Sequence, residues 1–97
     1  MIQHIVAFRF KASATPVQIG EAGAGLLAMA GRIPDIRAIR FVANQAPSAT
    51  EYSHVLTVVL DDMAAVQRYS DHPVHLETVA RFLAPIREAR LALDIEA

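Results

Sequence analysis

Ile2-Gln3-His4-Ile5-Val6-Ala7-Phe8-Arg9-Phe10 alternates along its whole length. Ile2, His4, Val6, Phe8 and Phe10 share one side of an extended chain, and Gln3, Ile5, Ala7 and Arg9 share the other. Alternation with a period of two predicts a β-strand with one strongly apolar face. His4 lies on that face, where an imidazole needs a hydrogen-bond partner. The other face carries Ile5 and Ala7, so it also needs cover.

The same reading extends outward from this strand. Tyr52 to Leu60 predicts the most hydrophobic strand, with His54, Leu56, Val58 and Leu60 on one face and Val55, Thr57 and Val59 on the other. Ile36 to Ala43 reads as an edge strand, because Arg37 and Arg40 imply partial exposure. Arg87 to Glu96 is the last strand, with Leu91, Leu93 and Ile95 on one face and Ala92 and Asp94 on the other. Thr15-Pro16 starts a helix that runs to about Ala30, with Ile19, Leu26 and Leu27 in its buried stripe and Gly31 as its C-cap. Gly20, Gly23 and Gly25 weaken this helix and leave room for close approach or for a ligand. Asn44 to Glu51 is a polar hairpin loop. Asp61 or Asp62 caps a second helix carrying Met63, Val66 and Tyr69.

The resulting order is βαββαβ, which fits a ferredoxin-like α+β fold with an antiparallel sheet in the order 4-1-3-2. Helices cover one face of that sheet. Ile5, Ala7, Val55, Val59, Leu91 and Leu93 would stay wet on the other, so the partner expected there is a second copy of the sheet, which closes a barrel as a homodimer.

Bulk properties agree with this and exclude several classes. The 97 residues make one domain, 1–97, and 54% of them are apolar, a surplus for one small core. A net charge of −1 gives no footprint for nucleic acid. Cysteine is absent, so there is no disulfide framework and no thiolate nucleophile. No apolar run approaches the ~18 residues of a membrane span, and the chain opens on a strand pattern rather than a signal peptide, so the expected location is cytoplasmic. No ligand spacing for a metal is present.

Chemistry concentrates in Tyr69-Ser70-Asp71-His72-Pro73-Val74-His75, in a chain with only four His and two Tyr. Pro73 disfavours the α region at His72 and suits the first position of a new helix. One helix therefore ends near Ser70, and His75 falls in the first turn of the next. An imidazole titrates near neutral pH and serves as a general base. A phenol such as Tyr69 can donate to a carbonyl oxygen that is becoming an enolate. Asp94 faces the helices by strand parity and needs a partner, and the partner expected for it is His75, whose pKa an Asp94 carboxylate would raise. In this topology the start of the first strand also lies near the end of the last, so His4 and Asp94 could be neighbours. His54 should lie on the order of 20 Å from His4 along the sheet. Arg81, Arg87 and Arg90 read as a solvated face.

As an ordered set, these marks resemble the stress-responsive A/B barrel domain family of the dimeric α+β barrel superfamily. They are Ile2 to Lys11, Ile33-Pro34, Tyr52-Ser53-His54, Tyr69 to His75 and Leu93-Asp94-Ile95. The resemblance implies the fold derived above, closed by a homodimer. One plant member is a polyketide cyclase that closes a ring by aldol condensation without a metal or organic cofactor. By that resemblance His75 is the catalytic base, with Tyr69 and Asp94 beside it, and His4 and His54 lie in the site region. Leu26 joins them as a pocket-lining candidate. The helix near residues 20–25 and the 44–51 loop depart from the cyclase. Two functions follow as expectations. One is a cofactor-independent, cyclase- or isomerase-like enzyme acting on a small hydrophobic carbonyl compound. The other is a non-catalytic barrel that binds a small hydrophobic molecule.

Overall fold

A computed structural model describes residues 1–97. β1 (Ile2–Phe10) forms where the alternation places it, and pairs antiparallel with β3 (His54–Leu60) on one edge and β4 (Arg87–Glu96) on the other. β2 (Ala38–Ala43) pairs with the outer edge of β3, giving the order β2-β3-β1-β4. This is the order predicted from the sequence, counted from the opposite edge.

The helices follow their end signals. α1 (Pro16–Ala28) opens with Thr15 and Gln18 bonded reciprocally, each side chain accepting from the other's backbone N–H, with Pro16 in the first turn. Its other end departs from the sequence reading. No glycine in the chain has a positive φ, so Gly31 is not a left-handed cap. The helix instead tightens into a 3-10 turn over Met29–Gly31, and the Met29 carbonyl accepts from both Arg32 and Ile33. Burial of Met29 and Ile33 anchors that turn. β2 starts at Ala38 rather than Ile36, because the Ile36 N–H is used in a turn to Ile33. The 44–51 loop folds a 3-10 turn over Pro47–Thr50 that draws in Tyr52, so β3 starts at His54.

α2 (Met63–Asp71) is capped by Asp62, whose carboxylate accepts from the Ala65 N–H at 2.8 Å. His72 is extended (φ −63°, ψ 134°), and Pro73 opens α3 (Pro73–Thr78), so the corner lies where Pro73 puts it. A π-type turn over Val79–Leu83 leads back to β4.

All the helices pack on one face of the sheet. The core between the layers holds Val6, Phe8, Leu26, Leu56, Val58, Leu60 and Tyr69. On the other face Leu91, Leu93 and Ile95 are each about half exposed. No helix is long and apolar enough to cross a membrane.

Two glycines of α1 have a packing reason. A Cβ on Gly23 would come within 2.7 Å of the Phe41 ring, and one on Gly25 within 2.6 Å of Phe82. Gly20 faces open space. Gly20→Ala should therefore stabilise the protein by up to ~1 kcal/mol through helix propensity alone. Gly23→Ala gains the same propensity but must displace the partly buried Phe41 ring, and should fall below wild type. Urea midpoints measured side by side check the opposite signs.

Candidate functional site

The break between α2 and α3 builds one wall of a partly open cavity. The last turn of α2 leaves carbonyls without intrahelical donors. The Val74 N–H, which would have reached Ser70 in a continuous helix, donates to His72 Nδ1 at 3.1 Å instead. His75 fills the gap: its Nδ1 lies 2.9 Å from the Ser70 carbonyl oxygen. A carbonyl only accepts, so Nδ1 carries the proton and the Nε2 lone pair is free. Ala65, Val66 and Tyr69 form the buried stripe of α2, which carries Tyr69 into the core.

β1 and β4 build the opposite wall. Their register sets His4 directly across from Asp94, and His4 Nδ1 lies 2.6 Å from Asp94 Oδ1. This bond holds the imidazole with its Nε2 turned away from the carboxylate. The Tyr69 ring contacts both histidines, with centroids 4.6 Å from His75 and 5.7 Å from His4.

His4, Tyr69 and His75 line a cavity of about 270 Å³ together with Val6, Phe8, Leu26 and Leu56. No buried side-chain nitrogen or oxygen in the protein is sealed without a partner. The Tyr69 hydroxyl and the Nε2 atoms of His4 and His75 bond to no protein group. All three polar atoms are therefore open to the cavity. Burial lowers the His75 pKa below its ordinary value, the Ser70 carbonyl opposes that, and the neighbouring His4, Arg90 and Arg87 add to the lowering. Burial pushes the Tyr69 phenol far upward. At neutral pH His75 is thus a free base and Tyr69 a protonated donor.

Of the residues singled out from the sequence, His4, Tyr69, His75 and Leu26 meet at this cavity. Asp94 joins it through His4. The expected pairing of Asp94 with His75, and the raised His75 pKa that went with it, does not form. The β1–β4 register gives the carboxylate to His4, and a helix-end carbonyl takes His75. His54 lies elsewhere. It stacks on Phe41 at 5.4 Å, bonds Ser53 Oγ at 2.8 Å, and borders a second, more open hollow of about 660 Å³ between α1 and β2. Burial lowers its pKa as well. The register places His54 four residues along β3 from Val58, the partner of His4, so the two histidines are about 14 Å apart rather than 20. No three His, Asp or Glu side chains come together as a metal cluster. The smaller cavity is the better candidate because its unpaired polar groups converge.

Sequence reasoning missed that Arg87, half-buried, and Arg90, exposed, border the same cavity. Arg90 shares the strand parity of Asp94, a signal that could have placed it on the cavity side, whereas Arg87 arrives there through a β-bulge. Arg9 pairs with Ala89 and Phe10 with Arg87, so Glu88 is an extra residue. No glycine or proline marks it in the sequence. Arg81 does lie at the surface, over the Phe82 ring.

Residues 2–97 match the family described as the stress responsive A/B barrel domain. Several solved structures are similar. A dimeric ferredoxin-like protein of unknown function from Thermobifida fusca superposes with a TM-score of 0.84 at 28% identity, covering 99% of this chain and 90% of that one. A dimeric protein of unknown function and ferredoxin-like fold from Bacteroides fragilis gives 0.84 at 25% identity, covering 99% and 95%. A hydroxynitrile lyase from Passiflora edulis gives 0.84 at 20% identity, covering 97% and 90%, a likeness of fold alone. No curated protein sequence matches the chain.

The depressed His75 pKa has a measurable consequence. The unfolded chain binds the proton near pH 6.5, and the native state resists it. The stability present above pH 6.5 should fall as the pH drops from there through the lowered native value, with His54 acting in the same direction. An NMR titration should place the His75 midpoint below 6.5, and a midpoint above it would contradict the burial argument.

Proposed function

Because the chain belongs to the stress responsive A/B barrel domain family, whose fold here forms a cavity holding three unpaired polar groups, we propose that it is an acid–base catalyst acting on a small carbonyl compound, of cyclase or isomerase type. The observation that carries this reading is the convergence of His75 Nε2, the Tyr69 hydroxyl and His4 Nε2 on one apolar-walled space. In the proposed reaction His75 takes a proton from the carbon next to the carbonyl. Tyr69 donates a hydrogen bond to the oxygen as it becomes an enolate, where low surrounding polarity strengthens the bond. Where the substrate is a β,γ-unsaturated carbonyl compound, the resulting dienolate then accepts a proton at the γ-carbon, which completes an isomerisation. Alternatively the enolate attacks a second carbonyl of the same molecule and the new alkoxide is protonated, which closes a ring. The His75 imidazolium returns the proton it took, so either route balances; His4 lines the space beside Tyr69, and Asp94 acts through His4 as a positioning residue.

A non-catalytic reading has one observation of its own: Val6, Phe8, Leu26 and Leu56 make the cavity wall mostly apolar, which suits a bound hydrophobic molecule. Deuterium exchange next to the carbonyl, followed by NMR over a panel of neutral and carboxylated 1,3-dicarbonyl compounds, separates the two. The catalytic reading expects exchange above background for at least one compound, lowered by ~10²–10⁴ in a folded His75→Ala variant. Binding without exchange in any compound would leave the hydrophobic-carrier reading.

We also propose that a second copy covers the outer sheet face. Leu91, Leu93 and Ile95 are 48%, 51% and 46% exposed there, and the similar structures from Thermobifida fusca and Bacteroides fragilis are described as dimeric. Sedimentation should give twice the 10.5 kDa subunit mass. Leu93→Glu on the outer face should dissociate the dimer, whereas Leu76→Glu, equally apolar but on the helix side, should not.

A further inference from the structure

We propose that Arg87 and Arg90 form an anion seat at the rim of the cavity, so that the compound bound there carries a carboxylate. This deepens the reading of the cavity as a carbonyl site and rests on it.

Both residues line the cavity that holds His4, Tyr69 and His75. In a regular strand, residues three apart point to opposite faces. The bulge removes that difference. Arg90 pairs with Phe8 and Arg87 with Phe10, both on the helix-facing side of β1, and Glu88 absorbs the odd step. A bulge that re-aims one side chain beside a site is a recurrent device. Here it gathers two like charges, which is unfavourable in the empty protein.

Their neighbours leave that charge uncompensated. Arg9, Arg37 and Arg68 each have a carboxylate partner. Arg87 and Arg90 have neither an ion pair nor a hydrogen bond to another side chain. Glu88, the nearest carboxylate in sequence, is turned away and held by Arg9 at 2.7 Å. Asp94 is committed to His4. Arg87 is also half-buried, so water compensates its charge only in part. Two unpaired guanidinium side chains bordering one cavity are suited to the planar oxygens of a carboxylate. A carboxylate there would leave the apolar body of the ligand among Val6, Leu26 and Leu56, and its carbonyl near Tyr69.

The test uses benzoate and benzamide, two planar probes of similar shape that differ in charge, titrated into the full-length protein and followed by NMR. Wild type should bind benzoate about tenfold more tightly than benzamide, as a charge-assisted pair predicts. In the Arg87→Gln/Arg90→Gln double variant the preference should disappear while benzamide affinity stays, which also shows that the variant is folded. Equal binding of the two probes by wild type, no binding of benzoate, or a benzoate preference that survives in the double variant would each overturn the anion seat. Phenyl phosphate binding more tightly than benzoate with the same arginine dependence would overturn the carboxylate assignment in favour of a phosphate. His75→Ala should leave the benzoate preference intact. A preserved preference in a protein that shows no carbonyl exchange therefore rejects catalysis and keeps the seat.

Discussion

The register between β1 and β4 is the constraint on which the rest of the site depends. It puts Asp94 opposite His4, so a partly buried carboxylate meets a buried imidazole rather than an apolar wall. Unpaired, either group would be costly at that depth. The same ladder, one bulge further along, turns Arg87 to the cavity side. A slip of a single residue would send Asp94 and Arg90 to the outer face and bring Leu91, Leu93 and Ile95 inside. The apolar outer row of β4 and the polar cavity side are thus two results of one alignment.

Much of this was legible in the sequence because it rests on periodicity and on proline. Alternation from Ile2 to Phe10 and from His54 to Leu60 gave both inner strands and their faces. The antiparallel order made His4 and Asp94 neighbours before any coordinates were known. Pro73 placed the corner, and with it Tyr69 and His75. What escaped depends on backbone events without a side-chain signature. The partner of His75 is the Ser70 carbonyl, an atom that every residue has, and it is free only because the next helix redirects the Val74 N–H. The side taken by Arg87 depends on a bulge at Glu88. Gly31 has the composition of a left-handed cap, yet the chain satisfies its helix end with a 3-10 turn. His54 carried the family resemblance but opens on a different hollow.

Electrostatics and burial act together in the cavity. Desolvation moves His75 down and Tyr69 up, so both are neutral under ordinary conditions, one as acceptor and one as donor. The guanidinium groups of Arg87 and Arg90 strengthen the downward shift on His75 without touching it. The arrangement needs no charged group at the centre of the apolar space.

Leu26, Leu56, Val6 and Phe8 are at once the walls of the cavity and members of the hydrophobic core, each at most 4% exposed. Enlarging the space by truncating one of them removes core packing, at a cost of about 2–5 kcal/mol for a buried leucine. That is a large fraction of the stability of a small domain. The interior of this cavity is therefore poorly evolvable. The rim is not under that constraint, since Arg90 and its neighbours contribute little to the core. Substitutions at the rim can therefore retune ligand preference at little cost to folding, while those that reshape the inner chamber cannot.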